Sequence, residues 1–235
     1  MTSCPTPSIS ILIPIYNVEK YLRQCLDSLQ AQTFSDFEAI CLNDGSTDSS
    51  SAIAHEYAQA DPRFRVVDKT NSGYGATMNV GLDQARGTFI GILESDDFMY
   101  PDALELLHAA AVEHDVQAVK GNFTFYWTAG NRDEMHRMIE KDMCGRVVDT
   151  REDTRIFFQK PSIWSGIYRR DFLESNAIRF LETPGASYQD TSFAFKVWAA
   201  AERAAFLEAP IIHYRQDNES SSVNSKGKVF CVCEE

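Results

Sequence analysis

The chain has 235 residues, 44% of them hydrophobic, and 22 basic against 34 acidic residues give it a formal charge of −12. That size supports one large hydrophobic core, and that charge disfavours nucleic-acid backbones and anionic lipid headgroups as partners. Residues 1–8 lack the basic region and apolar core of a signal peptide, and no apolar run approaches the roughly 20 residues that span a bilayer, so the sequence reads as a soluble, cytoplasmic chain.

From residue 8 the pattern alternates between strand and helix. SISILIP (8–14) is a β-branched run expected to stop at its proline. Val18, Tyr21, Leu22, Cys25, Leu26 and Leu29 then mark the apolar face of a helix, with Asn17 as its expected N-cap and Glu19 in its first turn. FEAICLN (37–43) reads as a buried strand. After the turn DGSTDSS, with Thr47 or Asp48 as N-cap, Ile53 and Tyr57 face inward from a second helix. RVVD (65–68) is a third strand, 74–85 a third helix and TFIGIL (88–93) a fourth strand. Pro101 suits the first turn of the next helix, which turns Leu104 and Leu107 inward. Such alternation predicts a mainly parallel sheet covered on both faces, with ligands at the carboxyl ends of its strands.

The second half is less regular. GNFTFYWTAG alternates as a strand, DTRIFFQ and RRDFLESN suit short helices, QDTSFAFKVWAAA a longer one, and PIIHYR a strand. No repeat or low-complexity linker divides the chain, so one domain over 1–235 is expected, with a regular half (8–101) and a less regular half (102–235). KVFCVCEE does not read as a natural ending and suggests that a longer protein continues there. Cys25 and Cys41 fall at apolar helix and strand positions as small hydrophobes. Cys231 and Cys233 lack a second pair at metal-ligand spacing, so no zinc site is expected.

Three polar clusters lie at predicted strand ends: Tyr16-Asn17, NDGSTD (43–48) and ESDD (94–97). In the last, Glu94, Asp96 and Asp97 either form a solvated acidic turn that favours the following helix N-terminus or await a cation. A hard dication such as Mg²⁺ or Mn²⁺ takes one or two carboxylates and fills other positions with phosphate oxygens. Asp44 comes directly off its strand, where a carboxylate can accept a nucleobase N–H. NSGYGATMNVG has Met78 where G-x-G-x-x-G needs glycine, which speaks against a dinucleotide fingerprint.

In order and placement, SILIPIYNVEKYLRQCLDSLQAQTFSDFEAICLNDGSTDSS followed by NSGYGATMNVGLDQARGTFIGILESDD resembles the family 2 glycosyltransferases over residues 8–101. The resemblance implies a GT-A fold, a Rossmann-like α/β sheet, and inverting transfer of a sugar from a nucleoside diphosphate, usually UDP. It implies that Pro14, Tyr16, Glu19 and Asn71 flank the nucleotide, that Asp44 holds the uracil N–H, Asp96 the ribose and Asp97 the metal, Mg²⁺ or Mn²⁺. Glu94 stands where most members carry aspartate. The family base, commonly in Glu-Asp at a helix start after a loop, corresponds to Asp190 in Gln189-Asp190, with Pro184 and Gly185 suited to a mobile lid; taken by itself, Asp190 also suits an N-cap. In HYRQDNESSS, His213 is a candidate second metal ligand and Arg215 a candidate diphosphate contact. Trp164 is expected in the core or on the acceptor side. The implied partners are a nucleotide sugar and a carbohydrate or lipid-linked acceptor, the latter met in peripheral contact with the inner face of a membrane. Two other readings stand beside this one. A sugar nucleotidyltransferase would want a glycine-rich basic loop after the first strand, which PIYNVEKY lacks, and a non-catalytic binding module would not need both Asp97 and Asp190.

Overall fold

The computed structural model describes residues 6–183 and 188–219. Its first strands and helices alternate: β1 (Ile9–Ile15), α1 (Glu19–Gln30), β2 (Phe37–Asp44), α2 (Ser50–Ala60), β3 (Phe64–Lys69), α3 (Tyr74–Gln84) and β4 (Phe89–Ile92). There follow β5 (Phe98–Met99), α4 (Ala103–Glu113), β6 (Ala118–Trp127), β7 (Arg132–His136), β8 (Val147–Val148), β9 (Gly166–Arg169), α5 (Arg170–Ser175), α6 (Gln189–Ala200) and β10 (Ala204–Arg215). The strands form one sheet in the order β3-β2-β1-β4-β9-β6-β10-β5, with β7 on β6 and β8 on β10.

The expected α/β architecture is present. β3, β2, β1 and β4 run parallel, as do β6 and β10. Every residue of β1 and β2 is buried. Successive side chains on a strand point to opposite faces, so both faces of this part of the sheet are covered. β9 departs from the parallel pattern, running antiparallel to both β4 and β6. The buried apolar residues of all these elements join in one cluster.

Several local expectations shift. β1 does not stop at Pro14 but continues to Ile15, because β4 pairs with it only as far as Leu12–Ile92 and demands no N–H from the proline. α1 is capped at Val18 without a side-chain bond. Asn17 instead takes φ 49°, a left-handed turn that asparagine tolerates, and its Oδ1 accepts the Thr47 amide at 2.8 Å. Glu19 and Asp48 cap each other's helices: Asp48 Oδ2 accepts the Glu19 amide at 3.0 Å and Glu19 Oε2 accepts the Ser49 amide at 2.8 Å. α2 therefore starts after Ser49, not after Thr47 or Asp48. Pro101 lies just ahead of α4, whose cap is Asp102, and residues 154–158 wind as a 3₁₀ turn rather than an α-helix.

Among the described residues no helix is long and apolar enough to cross a membrane. Cys25 and Cys41 are buried free thiols. Burial pushes Cys41 up to about 12 and Cys25 well above the ordinary thiol range, so both act as small hydrophobes. Cys231, Cys233, the terminal KVFCVCEE, Pro184 and Gly185 lie outside the described residues.

Candidate active site

The three polar clusters converge, and hydrogen bonds between strand ends join them. The Asn17 amide donates to Ser46 Oγ at 3.2 Å, in addition to the Asn17–Thr47 bond. Asp44, almost fully buried, accepts the Ser72 amide at 2.9 Å and the Gly73 amide at 3.1 Å. Gly73 has φ 88°, a backbone that favours glycine, and this turns its N–H toward Asp44 just before α3. Lys69, the register partner of Asp44 on β3, donates to the same carboxylate. Asn71 is exposed on this loop, and its backbone nitrogen lies so near Gly45 (φ 72°) that a side chain there would crowd it. Pro14 is buried in β1, whereas Tyr16 is 54% exposed at its end.

One residue further on, the Tyr74 hydroxyl donates to Glu94 Oε1 at 2.6 Å. Burial pushes Glu94 up to about 8 despite that bond, and the charges of Asp96 and Asp190 push the same way. Asp97 Oδ1 accepts the Arg215 amide at 2.8 Å. Its other oxygen, Oδ2, is buried and has no hydrogen-bond partner among the described residues. Burial, then the neighbouring Asp96 charge, raise Asp97 well above the ordinary carboxylate range, with the Arg215 amide opposing. Asp96 Oδ2 accepts Asn218 Nδ2 at 2.8 Å.

The orphaned Asp97 oxygen fits a dication. A buried polar atom without a partner is costly, and a hard cation would supply the missing partner and the missing counter-charge together. Among the described residues no three His, Cys, Asp or Glu side chains are gathered for a metal. A dication here would therefore take few protein ligands, the arrangement in which substrate phosphates complete the sphere.

Asp190 lies in the first turn of α6 and its Oδ1 accepts the Thr191 amide at 2.9 Å. Burial raises its pKa, opposed by that amide and by Lys160. Its charge acts on Glu94 and Tyr74, so the start of α6 lies near the acidic turn. Gln189 accounts for its own departure from the family pair. Its Nε2 donates to Thr183 Oγ1 at 2.8 Å and the Thr183 carbonyl at 3.4 Å, bonds that a glutamate could not donate.

Two candidate residues sit in settings that the sequence did not foretell. Arg215 is buried and its guanidinium is spent within the protein. It donates to the Asp96 carbonyl (2.7 Å), Gln24 Oε1 (2.6 Å) and Thr128 Oγ1, and it stacks over Tyr21 at 4.6 Å. It braces the acidic turn from beneath. His213 is held between the rings of Phe98 (4.2 Å) and Tyr100 (3.9 Å), with Nδ1 2.7 Å from Asp133 Oδ1. The same Nδ1 lies 3.2 Å from Thr124 Oγ1. The antiparallel pairing of β10 with β5, which sets His213 opposite Phe98, imposes this place.

The sequence reading passed over Tyr74, Lys69, Lys120 and Lys160. Lys69 could have been found from the β2–β3 register, which opposes it to Asp44. Lys160 sits in an irregular stretch with no periodicity to flag it; burial lowers its pKa, and the charges of Asp190 and Asp97 oppose this.

The family model described as glycosyl transferase family 2 matches residues 10–178. The chain belongs to glycosyl transferase family 2. Among this family's curated members, the putative glycosyltransferase EpsH of Bacillus subtilis (strain 168) is 35% identical over 96% of this chain and 65% of its own length. The structure of S. aureus TarS 1–349 in complex with UDP-GlcNAc superposes with a TM-score of 0.77 at 26% identity, over 94% of this chain and 62% of that one. The mannosyltransferase PcManGT from Pyrobaculum calidifontis, in complex with GDP-Man and Mn²⁺, has a TM-score of 0.63 at 16% identity and bears on the fold alone. The fold is that of the GT-A glycosyltransferases. This family 2 chain spans just under two thirds of the length of the relatives it matches first.

Proposed function

We propose that the chain transfers a sugar from a nucleoside diphosphate, UDP-linked, to a hydroxyl of a carbohydrate or lipid-linked acceptor in polysaccharide synthesis, with inversion at the anomeric carbon. The observation that carries this reading is the buried Asp97 Oδ2, which has no hydrogen-bond partner among the described residues, in an acidic turn on which the charge of Asp190 acts. Asp97 would hold Mg²⁺ or Mn²⁺, which when bound offsets the charge of the departing diphosphate. The Arg215 amide fixes the Asp97 carboxylate from behind. Asp96 lies beside it for the ribose, and Tyr16, Pro14 and Glu19 surround the strand ends where a base would lie. Asp44 is already anchoring residues 72–73, which leaves only part of its carboxylate for a uracil N–H.

For the chemical step, Asp190 takes the proton of the acceptor hydroxyl as its oxygen attacks the anomeric carbon, while the bond to the diphosphate oxygen breaks. An ordinary carboxylate suffices because the hydroxyl becomes acidic as that bond forms, as at the kinase catalytic aspartate. Burial makes Asp190 a somewhat stronger base than an exposed aspartate. UDP bound in the TarS crystal structure supports the choice of nucleotide. A membrane-associated acceptor, met in peripheral contact with the inner face, is compatible with the reading.

Calorimetry tests it. UDP is expected to bind only with Mg²⁺ or Mn²⁺, and Asp97→Ala is expected to abolish the metal-dependent part. Metal-independent binding of equal strength would remove Asp97 from its role.

A further inference from the structure

A strip of aromatic rings beside Asp190 is left unused by the donor chemistry. Phe123, Phe125 and Trp127 alternate along β6 and so share one face of the sheet. Tyr214 on β10 is the register partner of Phe125, and His136 on β7 that of Phe123. Ring centroids step from Trp127 to Phe125 in 6.3 Å, from Phe125 to Tyr214 in 6.1 Å, and from Tyr214 to the buried Trp164 in 4.8 Å. Phe125, Trp127, Tyr214 and His136 are all partly exposed.

Two cations lie over these rings. The Arg132 guanidinium carbon is 3.8 Å from the Trp127 centroid, and Lys160 Nζ is 4.6 Å from that of Tyr214 and 6.0 Å from that of Phe125. Both residues are exposed, and neither side chain makes a hydrogen bond or ion pair among the described residues. Most other arginines of this −12 chain are paired with carboxylates, for example Arg23 with Glu56 and Arg155 with Asp153. Arg132 therefore departs from the other arginines in spending its charge on a ring, and Lys160 joins it on the same strip, as Lys20 does over Tyr21 elsewhere. Lys160 also lies within the fields of both Asp190 and Asp97, so the strip starts where the reacting hydroxyl would be.

Flat rings exclude water from the C–H face of a sugar, a contribution that is apolar and indifferent to charge. A neutral saccharide gains little from two cations; an anionic one gains charge-assisted hydrogen bonds from both. We propose that the strip Tyr214–Phe125–Trp127 is the acceptor subsite, and that Lys160 and Arg132 select an acceptor that carries an anionic group, a uronate carboxylate or a phosphodiester. The word acceptor rests on the transferase reading above; the binding preference does not.

The test titrates the full chain with three probes, followed by tryptophan fluorescence. They are a glucuronate-containing oligosaccharide, the same oligosaccharide after carboxyl reduction, and a polyol-phosphate oligomer. At least one anionic probe is expected to bind about tenfold more tightly than the neutral one, and the stronger of the two identifies the anionic group. The preference should fade as ionic strength rises past about 0.15 M, and vanish in Arg132→Gln/Lys160→Gln, whose folding is checked by circular dichroism. Equal affinity for neutral and anionic probes, no binding of any probe, or a preference that survives in the folded double variant overturns the proposal. UDP binding to the unaltered chain is measured alongside. Its failure would strike the donor reading and leave the anionic preference to be judged by the titrations.

Discussion

The cleft has two sides that treat their polar groups in opposite ways. On the side built by the ends of β1, β2 and β3, almost every polar group is bonded to another strand end: Asn17 to Thr47, Glu19 and Asp48 to each other's helices, Asp44 to residues 69, 72 and 73. On the side built by 94–97, 160 and 190, the polar groups are less fully engaged. Asp97 Oδ2 has no described partner, Glu94 is pushed up to about 8, and Asp190 bonds only locally. A saturated network is rigid and costs nothing further when a ligand arrives. Unsaturated buried carboxyls store the electrostatic cost that a bound cation and substrate relieve. The first side thus serves as a frame, and the second carries the chemistry.

Substitutions on the two sides should separate these roles. The largest effect is expected for Asp190→Asn, which should lower transfer about 10²–10⁴-fold while UDP affinity is kept. Because burial raises Asp190 and the base acts deprotonated, the rate should climb with pH along a limb above the ordinary carboxylate value of about 4. Unchanged turnover would strip Asp190 of its role. On the framing side, Asp44→Ala leaves the Ser72 and Gly73 amides and Lys69 without their shared acceptor. The expected cost is about 1–3 kcal/mol of stability, several degrees in Tm at roughly 2–4 °C per kcal/mol for a chain of this size. A Tm shift no larger than that of an exposed substitution would show that the loop holds without Asp44.

The smallest effect concerns Lys120, buried on β6 with its amine donating to the Ser162 carbonyl. Burial lowers it to about 7, and the Asp190 charge only partly opposes this. A lysine with a depressed folded pKa binds fewer protons folded than unfolded between about 7 and its free value near 10.5. Stability therefore rises with pH through that window and is least at and below about 7. Lys120→Met should remove that cost, raising Tm at pH 7 by roughly 2–4 °C, or about 1 kcal/mol, with the gain shrinking toward pH 10. A loss of stability instead would mean that the Ser162 bond outweighs desolvation. Ser162 O keeps the Ser165 amide and hydroxyl in either case.

Much of the framing side was legible. Strand–helix alternation at short range is enough to send residues 16–17, 43–48 and 94–97 to one edge, since a parallel sheet puts all its carboxyl ends together. The α1 face from Tyr21 to Leu29 follows from spacing alone, and every apolar position on it is buried. The settings of His213 and Arg215 were not legible, because their types are visible in the chain but their neighbours are not. Arg215 meets Asp96, Thr128 and Gln24, residues 87 to 191 positions away. Lys160 was missed for the same reason, being defined by Tyr214, Asp190 and Asp97 rather than by anything adjacent.

By itself, then, the sequence determined the α/β alternation, the meeting of strand ends and the motifs that mark the family, because these depend on periodicities and turn chemistry within a few residues. Only the tertiary structure decided which polar atoms stay unspent. That depends on β9, β6 and β10 extending the sheet beyond β4, which brings an Arg215 amide to one oxygen of Asp97 and leaves the other without a partner among the described residues. Whether a buried group is satisfied is a property of everything packed around it, and no local pattern encodes that.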